Sequence, residues 1–318
     1  MSDSLALVVP ARNDHAGLAR LLAGAAATGC VAEAVVVDDA SDPPLAPAPL
    51  RRAARGLPLT LLRQPRPRGA GAARNRALAS VRASHLLYVD ADDLVTPALP
   101  RLWADLRGRA YDFCHFRHAE SGLSWRGAWG MPAQDEMLWA GAGLSAGALA
   151  GPLDTRQRAA LAQTANYPWN KIYRTDFLRA HGLVCSETMV HNDIELHWAS
   201  YADAETVLAA DRPAVMHHFA ARGGRLTNRT GIERLAAFVP LERLAARLVP
   251  EAPLALPYLR FASHFLAWVR ANMRPELHPR FDRRTGHFVR RHIDAAGLAR
   301  IARADPVLGL RLTLMGAL

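Results

Sequence analysis

Two stretches of this chain place carboxylates where an apolar run stops, and that spacing is the first chemistry to explain. Tyr88-Val89-Asp90-Ala91-Asp92-Asp93 closes the run His85–Val89, which reads as a short buried strand. Side chains two apart on a strand share a face, so Asp90 and Asp92 are expected to converge beyond its end. Carboxylates that face one another repel unless a cation lies near them. Hard divalent ions such as Mg²⁺ or Mn²⁺ take oxygen ligands, commonly one or two carboxylates plus the phosphates of a substrate. Val31–Val37 ends the same way, in Asp38-Asp39-Ala40-Ser41-Asp42. Asp92 or Asp93 alone reads equally well as a helix N-cap. Two strands ending alike at one sheet edge are harder to explain by capping.

A third stretch, Arg63–Asn75, is basic and rich in Pro and Gly. Gly69 and Gly71 let the backbone approach a ligand, and the helix that follows offers unpaired N–H groups to an anion. Arg68 and Arg74 add charge-assisted donors suited to a diphosphate. A solvated basic loop is the plainer alternative. The glycine spacing fits neither a Walker loop nor a G-x-G-x-x-G fingerprint after a strand.

The elements that must position these groups follow from periodicity. Leu5–Val9, Val31–Val37, Leu57–Leu62 and Leu86–Val89 read as strands, His15–Ala27 and Ala72–Val81 as helices, and Pro43–Pro49 as linker. Strands alternating with helices at this interval indicate βαβ units and a parallel sheet, whose ligands gather outside the carboxyl ends of the strands. Tyr111–Phe116 continues as a strand. Beyond Gly231 the pattern is helical, as in Leu235, Phe238, Leu241, Leu244 and Leu248.

Bulk composition narrows the class. A chain of 318 residues, half of them hydrophobic, is long enough for a substantial core. The net charge of +10 points to an anionic partner, but Lys171 is the only lysine and the Arg-rich composition dilutes that signal. No nucleic-acid partner is expected. Cys30, Cys114 and Cys185 are odd in number and scattered, which favours a reducing compartment. Neither a signal peptide nor a membrane span is expected, so the reading is cytoplasmic, with peripheral contact at the inner face of a membrane through the basic run Arg280–His292 as a further expectation.

Taken in order, these segments resemble the family 2 glycosyltransferases. Leu5–Asn13 is similar to the family's opening strand and turn, Val35–Ser41 to its nucleotide-contacting strand end, and Gly69–Asn75, with Ala73-Arg74-Asn75, to its Ala-Arg-Asn helix start. Tyr88–Asp93 looks like its D-x-D site. The resemblance implies an α/β fold of GT-A type: a mostly parallel central sheet flanked by helices, with a Rossmann-like nucleotide-binding half. It covers residues 1–230, leaving residues 231–318 as a helical C-terminal region. It also implies a nucleotide-sugar donor, here a UDP-sugar, a glycan or lipid-linked acceptor, and Mn²⁺ or Mg²⁺ as cofactor. By that resemblance Asp39 contacts the base, Asp90 the ribose side and Asp92 the metal. Pro10, Ala11, Arg12, Asn13, Asp38, Gly69, Arg74 and Ala91 line the donor.

Further along, Trp169-Asn170-Lys171-Ile172-Tyr173-Arg174 resembles the family's Trp-x-Lys-x-Tyr-Arg segment, and Lys171 is taken as a donor-binding group. Ser186–Trp198 brings carboxylates to a helix start. The family carries Glu-Asp there, with its Asp as general base; this chain has Asn192-Asp193, which makes Asp193 the candidate base, with an N-cap as the alternative. A helix N-terminus is expected to lower its basicity. His217 or His218 is placed to add a nitrogen ligand to the metal, with His217 the candidate and a structural histidine the alternative. Arg222 and Arg225 suit a mobile loop closing on a diphosphate, and Trp125, Trp129 and Trp139 either face the acceptor or pack in the core. A nucleotidyltransferase, or a glycan- or nucleic-acid-binding protein without catalysis, are the rival readings.

Overall fold

Each apolar run at the N-terminal end becomes a strand of one array. The computed structural model describes residues 3–121, 130–144, 149–218, 229–249 and 252–318. Strands β1 (Leu5–Ala11), β2 (Val31–Asp38), β3 (Leu59–Arg63) and β4 (His85–Tyr88) alternate with helices α1 (His15–Ala27), α2 (Pro47–Ala54) and α3 (Gly69–Leu78). Pairing is parallel from β3 through β2 and β1 to β4, as right-handed βαβ crossovers produce. The stretch read as linker, Pro43–Pro49, contains the start of α2. Pro47 stands in its first turn, where a missing N–H leaves no bond unmade, and Leu50 and Ala54 turn inward.

Past β4 the chain adds β5 (Leu94–Val95), α4 (Ala98–Leu106), β6 (Phe113–Phe116), β7 (Ala119–Glu120), α5 (Ala133–Gly141), β8 (Leu149–Ala150) and α6 (Thr155–Leu161). Then come β9 (Lys171–Arg174), α7 (Thr175–Ala180), α8 (Ile194–Asp203), β10 (Val207–Ala210) and β11 (Val215–His217). The large sheet has the order β3-β2-β1-β4-β9-β6-β10-β8. β9 is antiparallel to both β4 and β6, and β8 to β10, while β10 runs parallel to β6. The sheet is therefore mostly parallel, as expected, with two reversed strands. A second sheet, β5-β11-β7, is small but decisive for the site, because it ties the chain just after Asp93 to His217.

Alternation along β1 separates two cores. Leu5, Leu7 and Val9 face a layer containing Leu18 and Leu22 of α1 and Leu102 of α4, whereas Ala6 and Val8 face the layer of α3 and α8. The C-terminal helices α9 (Phe238–Leu248), α10 (Ala255–Ala271), α11 (His278–His292), α12 (Ala295–Ala304) and α13 (Pro306–Gly316) add to this second layer. Trp198 of α8 is fully buried, its ring 5.4 Å from Tyr258 and 5.2 Å from Phe261, both on α10. Trp139 is also core, at 3% exposure, while Trp125 and Trp129 lie outside the described residues. All three cysteines are free. Among the described residues no helix is long and apolar enough to cross a membrane.

One hydrophobic cluster thus spans the sheet, α8 and the C-terminal helices, and this predicts cooperative behaviour. Trp198→Ala is expected to lower unfolding stability by about 3–5 kcal/mol, the usual cost of emptying a large aromatic site. Near- and far-ultraviolet circular dichroism should report one coincident transition in urea. A variant of unchanged stability, or separate melting of the helical region, would refute the continuous core.

Candidate active site

The site is built from three loops at the carboxyl edge of the parallel strands. The loop after β2 is rigid by construction. Asp38 accepts the backbone N–H of Ser41 (2.8 Å) and of Leu45 (3.2 Å) and pairs with Arg63. Burial pushes its carboxyl up, but these bonds outweigh it and hold the group below the ordinary carboxylate range. Asn13, at φ 56°, receives the neighbouring loop: its Oδ1 accepts from the N–H of Asp42 (2.8 Å), and its own N–H donates to Ser41 Oγ (2.9 Å). Pro10 and Ala11 are buried in β1, whereas Arg12 is exposed at the loop surface.

Asp39 is buried and organises the basic loop. Its Oδ1 accepts from Gln64 Nε2 (2.9 Å) and the Arg68 N–H (2.7 Å), and its Oδ2 from the Gly69 N–H (2.8 Å). Gly69 has φ 87°, and a side chain there would be strained. Arg68 is half exposed and pairs with Glu187 across the mouth of the site.

From α3, Arg74 reaches inward and is almost wholly buried. It pairs with Asp90 and donates from Nη1 to Asn192 Oδ1 (2.8 Å). Burial disfavours its charge, but Asp90 and Asp193 together hold it more firmly protonated than an ordinary arginine. Asn192, the residue where the resemblance leads one to expect an acid, is therefore a hydrogen-bond acceptor for a fixed cation. The loop carrying it is clamped to α3 by Asn75, which bonds Cys185 through both N–H (2.8 Å) and C=O (2.9 Å).

The aspartates after β4 do not converge by strand alternation, because the strand ends at Tyr88. Asp90–Asp93 is a turn closed by the Asp93 N–H on the Asp90 carbonyl (3.0 Å), with Ala91 buried inside it. Asp90 consequently turns to Arg74, and Asp93 turns to the small sheet. Asp92 is half-buried, and Arg20 Nη2 donates to its backbone carbonyl at 3.0 Å. Asp93 was read only as a possible cap, yet it is completely buried. Its Oδ1 accepts from His217 Nδ1 (2.7 Å) and the His218 N–H (3.0 Å). The His217 ring lies 5.1 Å from Trp169 at 18°, a stacked arrangement that fixes its plane. No sequence signal beyond the run of aspartates singled out Asp93, since its partner is more than a hundred residues away.

These residues suit a divalent ion as a partial site. A histidine that gives Nδ1–H to a carboxylate keeps its lone pair on Nε2, the arrangement that orients metal-ligating imidazoles. Asp93 Oδ2 is buried and accepts no hydrogen bond. Among the described residues no three or more His, Cys, Asp or Glu side chains gather into a ligand cluster, so a bound ion would draw further ligands from a diphosphate or water.

Asp193 stands at the N-cap of α8, but its side chain makes no capping bond. Burial raises its pKa above the ordinary carboxylate value, opposed by Arg74 and Lys171 and reinforced by Asp90. Lys171, the only lysine, is fully buried beneath the site, with Nζ donating to Tyr167 O (2.8 Å) and Asn170 Oδ1 (2.6 Å). Burial pushes its pKa down to about 7 against the pull of Asp193 and Asp135. Arg222 and Arg225 lie outside the described residues.

Two Asp-bearing loops, the glycine-bearing start of α3 and Asp193 at the start of α8 thus lie at one edge of a sheet of GT-A type. The chain matches the model of Glycosyl transferase family 2 over residues 6–178, more than half its length, and it belongs to that family. Its fold is similar to that of S. aureus TarS 1–349 in complex with UDP-GlcNAc, with TM-score 0.71 and 18% identity over 97% of this chain and 89% of that one. It is also similar to the mannosyltransferase PcManGT from Pyrobaculum calidifontis in complex with GDP-Man and Mn²⁺, with TM-score 0.54 and 20% identity over 100% of this chain and 81% of that one. At these identities the likeness is one of fold. No curated protein matches the chain.

Gly71 tests the clamp between α3 and the Asn192 loop. A Cβ there would lie 2.2 Å from the Ser186 carbonyl oxygen and 2.9 Å from Asn192 Cβ, so the backbone must move. Gly71→Ala is expected to lose about 1–3 kcal/mol of stability through overpacking. Urea unfolding checks this; a variant of wild-type stability would show that the loop is not held there.

Proposed function

We propose that this enzyme transfers a sugar, with inversion, from a nucleotide-sugar donor to a hydroxyl of a glycan or lipid-linked acceptor. A UDP-sugar is the donor this reading favours. TarS in complex with UDP-GlcNAc supports that choice, although PcManGT with GDP-Man shows that the fold serves other bases. The transferase chemistry belongs to residues 1–230 in this reading, with residues 231–318 completing the acceptor side.

The observation that carries the proposal is Asp193, an uncapped carboxylate of raised pKa sharing its surroundings with Arg74 and Asp90. The acceptor hydroxyl gives its proton to the Asp193 carboxylate as its oxygen bonds to the anomeric carbon. On the opposite face the bond from that carbon to the diphosphate oxygen breaks, and the nucleoside diphosphate leaves. Arg68 and the start of α3 meet that leaving charge, while the Asp39 loop holds the base. Asp92 and His217 would hold a Mn²⁺ or Mg²⁺ ion, which supplies charge neutralisation to the departing diphosphate when bound. A nucleotidyltransferase is disfavoured because β1 ends in Pro10-Ala11 and runs on into Arg12-Asn13, not into a glycine-rich loop. Contact with a membrane through the basic C-terminal run completes the reading.

Asp193→Asn keeps the shape and removes the proton acceptor. Transfer should fall by about 10²–10⁴-fold, with UDP affinity unchanged in calorimetry. Because Asn serves as a cap as well as Asp, wild-type turnover in this variant would leave Asp193 without a catalytic part.

Asp92→Ala addresses the metal. UDP binding to the wild-type chain is expected to strengthen on adding Mn²⁺ and to weaken with chelator. In the variant that difference should vanish while metal-free binding persists. Equal Mn²⁺ enhancement in both proteins would remove Asp92 from the site.

A further inference from the structure

We infer that Trp268 of α10 is the platform on which a sugar ring of the acceptor rests, which makes that acceptor a glycan. The inference depends on the transferase reading above and deepens it by naming the residue of the C-terminal region that meets the acceptor. Phe261, Phe265 and Trp268 recur at i, i+4 and i+7 and form one stripe along α10. Their rings run nearly parallel, Phe261 to Phe265 at 5.5 Å and 10°, Phe265 to Trp268 at 6.1 Å and 20°. The stripe starts against the buried Trp198 and ends in solvent. Trp268 is 45% exposed, and among the described residues no other aromatic side chain is exposed. A single exposed apolar residue is ordinary in itself, so its neighbours decide what it does.

The first neighbour is the loop that carries the base. His191 stands two residues before Asp193, and two residues span about 7 Å at most. Its ring meets Phe265 edge-on at 4.9 Å and Trp268 at 6.0 Å. His191 has φ 59°, a left-handed conformation that concentrates at active and ligand-holding sites. The second neighbour is Arg234, only 2% exposed, whose guanidinium carbon lies over the indole 4.7 Å from the ring centre. That cation covers one face of Trp268, so the exposed part of the indole lies on its opposite face and edge. His191 adds no charge, because burial and the nearby Arg234 push its pKa down to about 4. A ligand arriving beside Asp193 therefore meets an uncharged aromatic surface. Phosphates and carboxylates gain little there, whereas the C–H face of a pyranose packs against an indole and keeps its hydroxyls in water.

The test is saturation-transfer NMR of the full chain in the presence of UDP and Mn²⁺. The probes are the methyl α- and β-glycosides of glucose, galactose, mannose and N-acetylglucosamine, with glycerol as the control that lacks a ring. At least one glycoside should bind and glycerol should not. Trp268→Ala should lower the affinity for that glycoside roughly tenfold, as loss of one aromatic contact does, and Trp268→Phe should keep part of it. Trp268→Leu, apolar but without a flat face, guards against an alanine variant that fails to fold and should lose binding to the same extent. Binding of no glycoside, or binding that Trp268→Ala and Trp268→Leu leave unchanged, overturns the proposal. So does a wild-type dimer that Trp268→Ala dissociates, which would place a second copy on the ring. Calorimetry with UDP keeps the two readings apart. UDP binding together with glycoside binding that ignores Trp268 sinks this inference alone, whereas a chain that binds no UDP would sink the transferase reading and this one with it.

Discussion

The buried guanidinium of Arg74 is the interaction on which the centre depends. It projects from α3 to where the Asp90–Asp93 turn and the loop before α8 meet, beside Asp90 of the first and Asn192 and Asp193 of the second. Removing Asp90, itself partly exposed, would leave the buried guanidinium uncompensated, a loss that reaches about 3–5 kcal/mol where a pair is fully buried. That is far more than one exposed ion pair contributes, so the relative placement of Asp90, Asn192 and Asp193 is set by Arg74 and not by surface contacts. The same logic explains Asn192. Asp90 already neutralises Arg74, and an amide oxygen satisfies a second donor without adding another charge to a crowded carboxylate site.

Against that fixed element stands Arg68, half exposed and paired with Glu187, itself exposed. Pairs of this kind contribute about 0–1 kcal/mol and are screened by salt. Two arginines six residues apart thus differ in what they can do. Arg74 is buried and held by its partners, whereas the Arg68 side-chain pair costs little to break. Asp39 fixes the backbone beside it, because its carboxylate accepts from the N–H groups of Arg68 and Gly69 and makes no bond to the Arg68 side chain.

Much of this was legible from local pattern. The apolar runs of β1, β2 and β4, the amphipathic α1 and the Asp-rich turns declared themselves because parallel strands buried on both faces read as continuous hydrophobic stretches. What was not legible depends on distant partners. The convergence of Asp90 and Asp92 was argued from strand alternation, but the strand stops two residues short and a turn decides where each carboxylate points. Asp93 could not be distinguished from a cap without knowing that β11 returns beside β5 and brings His217 to it. α2 was hidden because Pro-rich sequence reads as linker, although proline at a helix start is compatible with both. The continuity of the core between α8 and α10 rests on Trp198 meeting Tyr258 and Phe261, contacts that periodicity alone does not reveal.

The basicity of Asp193 departs from what its place at a helix start leads one to expect. A helix N-terminus stabilises a carboxylate by about 0.3–1 kcal/mol, and a cap that accepts backbone N–H bonds lowers its pKa further. Asp193 occupies that position without a capping bond, and only its own backbone N–H lowers it in that way. Burial then works in the other direction, and one pKa unit corresponds to about 1.4 kcal/mol. Desolvation of a carboxylate exceeds the dipole contribution unless a counter-charge is close. Arg74 and Lys171 provide opposing charge, yet Arg74 is already engaged by Asp90, and burial weakens the charge of Lys171 itself by pushing its pKa to about 7. Each cation is therefore less able to pull Asp193 down than its proximity suggests. The net result is a half-buried carboxylate whose affinity for a proton is raised by desolvation against these opposing charges.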